Sequence, residues 1–200
     1  KGVSAALVNS GSTIVVIFIF GVWALVTGQN LPEPFGSMAK SSNIINTIGF
    51  IAIFSTVTLF FTLPSLVKFV PKTKWPRFNQ FIEAFQHYTF SHLLLVFILA
   101  LFRYLVFSVQ FFLMLRFTGV SPDFILSFKA ICLVYLFITI IPSFAMVELG
   151  IRSSLAVLFL TPVINHPVEI IEATIVLWIL NIAIPALVGS FTLYKTKVEL

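Results

Sequence analysis

The chain has 200 residues, of which 59% are hydrophobic and 10% charged, with a formal net charge of +5 and a mean hydropathy of +1.09. Soluble domains carry about 25% charged residues, and a fold of this size buries only about 70% of the surface its unfolded chain exposes. The composition therefore excludes a soluble globular domain and points to an integral membrane protein.

The apolar runs are continuous and of helix-spanning length, not alternating segments of about ten residues, so a β-barrel is excluded as well. The expectation is an all-α, polytopic helical membrane bundle with about six membrane segments, one short or broken. It reads as a single integral membrane domain over residues 1–200. The chain begins at Lys1 without a recognisable signal peptide and reads as lacking its N-terminal helices.

In chain order, the first segment covers about Val3 to Thr27, followed by the breaker-rich loop GQNLPEPFGSMAKSSN. The second runs from about Ile44 to Phe69, with Pro64 near its end. A basic loop follows, containing Lys68, Lys72, Lys74 and Arg77. From Pro76 to Phe90, Phe78, Phe81, Ile82, Phe85 and Tyr88 recur at helical spacing opposite Asn79, Gln80, Glu83 and Gln86, the pattern of an interfacial amphipathic helix. The third span covers about Phe90 to Phe117 and the fourth about Phe124 to Ile141, closed by Pro142. The fifth, about Met146 to Leu160, falls short of the roughly 20 residues a span needs and reads as a tilted half-helix or a re-entrant segment. After the loop TPVINHP, the sixth runs from about Val168 to Tyr194. Lys and Arg favour the cytoplasmic side of short loops, which places the 68–77 loop there. Lys195 and Lys197 put the C-terminus on the same side if the fifth segment crosses.

Ionisable residues inside a membrane mark a site by default. Glu148 and Arg152 have i,i+4 spacing with the acid first, the better order for a helical pair. They read either as a mutually neutralising pair that packs the bundle or as a headgroup site. In the second reading Pro142 breaks the chain, a new helix offers unpaired amides at its start, and Arg152 supplies a fork suited to phosphate oxygens. Gly150 and Ser154 form a small-xxx-small pair that would permit close helix approach. Arg103 lies near the middle of the third span, where an arginine costs at least about 2.5 kcal/mol. It reads as a phosphate ligand or as the partner of Glu148. Pro185 frees the carbonyl of Asn181, four residues back, so the two make a polar kink in mid-membrane, with Gln110 a weaker case. Lys129 can snorkel from a helix end, and Glu169 and Glu172 suit the first turns of the sixth helix. His166 reads as a loop residue.

No catalytic set is visible: Ser153 and Ser154 have no histidine nearby in sequence. The single cysteine, Cys132, allows no internal disulfide and reads as a small apolar residue. Scattered Asp and His suggest no metal site, and no glycine-rich phosphate loop is present. No cofactor and no nucleic-acid partner are expected.

From LFRYLVFSVQFFLMLRFTGV through IPSFAMVELGIRSSLAVLFL to ATIVLWILNIAIPALVGSF, the chain resembles the C-terminal half of the lysylphosphatidylglycerol synthase transmembrane-region family of flippase-like membrane proteins. The same domain forms the membrane half of the bacterial multiple peptide resistance factor. The residues that carry the resemblance are Arg103, Pro142, Glu148, Gly150, Ser153, Ser154, Pro185 and Gly189. The resemblance implies lipid handling in the bacterial inner (cytoplasmic) membrane, with phospholipid, including aminoacylated phosphatidylglycerol, as the molecule moved. Joined to the residue reading above, it gives headgroup candidates at Glu148, Arg152, Arg103, Ser153 and Ser154, beside helix breaks at Pro142, Asn181 and Pro185. Aminoacyl transfer is not expected, because no soluble transferase domain is visible. A lipid-modifying enzyme component, or an assembly subunit with a partner protein or a second copy, stands as the alternative.

Overall fold

The computed structural model describes residues 2–28, 43–67, 79, 88–141 and 145–195. Every regular element among them is helical: α1 (Gly2–Thr27), α2 (Asn43–Val67), α3 (Phe90–Phe117), α4 (Phe124–Ile140) and α5 (Ala145–Ile164), then α6 (Pro167–Trp178), a π-helical turn (Ile179–Ala183) and α7 (Ile184–Lys195). The last three run on without interruption and make one rod. Five of the six rods are long and apolar enough to cross a membrane, and α4, with 17 residues, is the shorter one. The protein is a multi-pass helical membrane protein. The basic loop at 68–77, Pro142 and Lys197 lie outside the described residues, as does most of the expected interfacial helix at 76–90.

One expectation is corrected. The short segment is the fourth, not the fifth. α5 runs for 20 residues, through Pro162 to Ile164, where a loop was expected from Thr161. A proline removes one amide from the ladder, and in the last turn of a helix little remains to be disrupted beyond it. The stop comes instead at Asn165, which takes the left-handed conformation (φ 55°) and donates its N–H to the Thr161 carbonyl at 2.8 Å. Asparagine is one of the few side chains that tolerates this geometry at a helix end. Pro167 then opens α6, where its missing N–H costs nothing. α4 is bounded as sharply: Gly119 turns the chain at φ 91°, and the Asp123 carboxylate accepts from the Leu126 N–H at 2.9 Å.

The described chain divides into two compact units, residues 1–108 and 109–200, with the boundary inside α3. In the first, α1 packs on α2. Val8, Phe60 and Leu93 form a buried cluster, with Leu7, Val15, Phe61, Leu63, Tyr88, Val96 and Phe97 packed around it. Phe61 meets Phe90 and Phe97 at 5.1 and 5.7 Å between ring centroids, and Phe20 stacks on Tyr104 at 4.9 Å. α1 and α2 come close together at Gly49. A Cβ there would collide with Cγ2 of Val26 and touch Val22 at 3.5 Å. Several hydroxyl groups are satisfied by their own helix: Ser12 donates to the Val8 carbonyl at 2.9 Å and Thr27 to that of Trp23 at 2.8 Å.

In the second unit α5 packs on both α4 and α6. Ala130, Ile131, Cys132, Leu133 and Val134 are all buried, so every side of α4 is covered over this stretch. A helix apolar all round belongs in an interior. Phe137 of α4 meets Phe159 of α5 at 5.1 Å. On α6 the buried residues are Ile170, Ala173, Thr174 and Leu177, a single stripe at helical spacing.

Candidate functional site: an ion pair at the start of α5

α5 begins at Ala145, so Glu148 lies in its first turn and Arg152 one turn further on. The Arg152 Nη2 donates to Glu148 Oε1 at 2.6 Å. The pair is mostly buried, with 20% of the Arg152 side chain and 26% of the Glu148 side chain exposed. Two effects hold it. The helix dipole favours a carboxylate in the first turn, and the acid-first i,i+4 order lets the guanidinium fold back onto it. The guanidinium is not fully used: Arg152 Nε is buried and has no hydrogen-bond partner. Arg152 also acts electrostatically on Tyr135 of α4, whose ring meets Phe111 at 6.5 Å.

The other expected site residues divide. Ser153 flanks the pair and is partly buried, whereas Ser154 and Gly150 are exposed. A Cβ on Gly150 would meet nothing within 4 Å. Among the described residues no side chain or helix approaches Gly150 closely. Arg103 belongs to the first unit. Its guanidinium lies over the Phe107 ring, 5.9 Å from the centroid. The side chain expected to partner it, Glu148, is bonded to Arg152.

At Asn181 and Pro185 the helix widens without breaking. Ile179–Ala183 is a π-helical turn, in which the Ile184 N–H bonds to the Ile179 carbonyl five residues back. Pro185 follows in the first turn of α7. The Asn181 amide does not stay free: its Nδ2 donates to Gln110 Oε1 at 3.1 Å, and Gln110 Nε2 donates to Asn181 Oδ1 at 3.3 Å. Sequence reasoning named both residues but did not join them. Their separation of 71 positions carries no signal without a fold. Trp178, not singled out from the sequence, has a buried Nε1 with no partner. Glu169 lies 3.3 Å from His166 Nδ1 at the start of α6, so His166 takes part in that helix end.

Among the described residues no three His, Cys, Asp or Glu side chains cluster as metal ligands. No family model, curated protein or solved structure matches the chain.

Proposed function

We propose that this multi-pass membrane protein handles phospholipid, moving or holding a headgroup at the α5 ion pair. The observation that carries the reading is the Arg152 guanidinium, which sits largely buried at the start of a membrane helix with one N–H unmet by the protein. An unmet buried donor is costly, and a phosphate oxygen is a strong acceptor for a guanidinium edge. Glu148 holds the guanidinium through Nη2 and supplies a negative group within reach of a cationic headgroup such as an aminoacylated one. The resemblance of Glu148, Ser153, Ser154 and Pro185 to the flippase-like family supports the same reading, with the bacterial cytoplasmic membrane as its setting. Chemistry on the lipid is not part of the proposal.

A second reading has its own support. The 2.6 Å bond and the first-turn position of Glu148 would also describe a pair that only holds α5 together, in a subunit assembled with a partner.

The test reconstitutes the protein into liposomes with fluorescent phosphatidylglycerol and its lysyl derivative, and follows loss of outer-leaflet accessibility. Transport that falls in Arg152→Ala and Glu148→Gln variants, both still monodisperse in detergent, supports lipid handling. Transport by these variants equal to wild type, or none by wild type, would leave the pair structural.

A further inference from the structure

Arg103 carries a second inference, independent of lipid handling at α5. It lies about 16 Å along the axis of α3 from His92 and about 20 Å from Arg116, the polar residues toward the two ends of the helix, at 1.5 Å per residue. Leu93 to Phe102 on one side and Tyr104 to Leu115 on the other are largely apolar. A headgroup phosphate at either end is thus further away than an arginine side chain can snorkel. The residue is nonetheless exposed. The guanidinium carbon lies 5.9 Å from the centroid of the Phe107 ring, which offers no conventional acceptor to the five N–H donors. No acidic residue is among the described residues of the unit that holds Arg103. Around it on the same side of α3, Leu99, Phe102 and Val106 are 59%, 63% and 62% exposed.

A cation at this depth is paired or in water, and its apolar surroundings are suited to neither water nor a headgroup. We infer that the Leu99–Phe102–Arg103–Val106 face of α3 docks a partner membrane helix that carries a carboxylate at mid-membrane depth. The apolar side chains supply the packing surface. The guanidinium offers a carboxylate a two-point contact that a lysine would not match. The partner is recognised by charge at one depth, which is how a polar residue specifies pairing among helices that are otherwise equally greasy.

The experiment places the full chain in liposomes with labelled poly-leucine peptides that span the bilayer and carry one central Glu or one central Gln, and reads association by energy transfer. The Glu peptide is expected to associate about three- to tenfold more tightly than the Gln peptide, the range of interhelical polar contacts in membranes. Arg103→Leu should abolish that preference, and Arg103→Lys should keep part of it. Val106→Trp, which leaves the charge in place, should weaken both peptides by crowding the face. Equal binding of the two peptides, or a preference that survives in Arg103→Leu, would overturn the inference. So would self-association that needs Arg103 without any peptide, which would make the occupant a second copy. An Arg103 effect seen only in thin bilayers would assign a lipid phosphate instead.

Discussion

Gln110 and Asn181 exchange two hydrogen bonds, amide to amide, between the middle of α3 and the π-helical turn of the last rod. The π turn and the pairing explain one another. Widening the helix by one residue leaves backbone groups poorly matched near Asn181, and a fixed contact to α3 holds that stretch in place. Replacing Asn181 by Leu leaves the Gln110 amide without a partner. Such contacts in membranes contribute about 0.6 kcal/mol on average and up to about 1.7. Asn181→Leu and Gln110→Leu should each lower stability by that order, while the double variant should lose less than the sum. Unfolding by SDS titration in bicelles checks this; strict additivity would mean that the two amides do not interact.

Gly49 is expected to tolerate almost nothing larger. Its Cβ position is occupied by Val26, so Gly49→Ala forces α1 and α2 apart, at a cost of about 1–3 kcal/mol for overpacking. Val26→Ala opens that space and should recover most of the loss in the double variant. Gly150→Ala is the control, since nothing lies within 4 Å there, and helix propensity should make it neutral or slightly stabilising. Thermal unfolding in detergent separates the three. A Gly49→Ala protein as stable as wild type would show that the helices are not in contact at this point.

For Glu148 and Arg152, stability and transport give distinct readouts. Removing one member of a largely buried pair strands the other, at a cost of about 1–3 kcal/mol. The fifth to a quarter of each side chain that stays exposed softens the penalty. Glu148→Gln with Arg152→Gln removes both charges and should be less destabilising than Arg152→Ala alone. If the double variant is stable yet inactive in liposomes, the charges serve the lipid. A double variant that is stable and active would point to packing.

Asp123 starts α4 through a single bond to the Leu126 N–H. Asp123→Ala should cost about 1 kcal/mol, and Asp123→Asn, which keeps an acceptor, only a small part of it. Hydrogen exchange at Leu126 is the sensitive probe, and an unchanged rate in Asp123→Ala would remove the cap from the account.

Much of this architecture can be read from the sequence, because span length and apolar continuity are properties of a local stretch. The third span, Phe90–Phe117, is an example: its ends match the structure. Proline is an uneven guide: Pro64 does lie near the end of α2. Pro142 lies outside the described residues, Pro162 sits within the last turn of α5, and the helix end that Pro162 suggested belongs to Asn165. The acid-first spacing of Glu148 and Arg152 is local too, and the pair forms. What the sequence could not carry is any relation that needs two distant helices. The contact of Gly49 with Val26, the joining of Gln110 to Asn181, and the open space beside Gly150 each depend on which helix faces which.

The π turn has a consequence for how the last rod varies. Such a turn amounts to one residue added to an otherwise regular helix, and one residue is about 100° of rotation. Everything after Ile184 is therefore presented in a different direction from the one a single helical wheel drawn from Pro167 would assign. Deleting one residue within Ile179–Ala183 would restore an ordinary helix and leave Leu187, Val188 and Phe191 near their present azimuths and depths, because the turn takes up the added residue within itself. Loss of a residue here, a step that would rotate the remainder of a regular helix by about 100°, is thus absorbed locally, and the face of the C-terminal helix is kept.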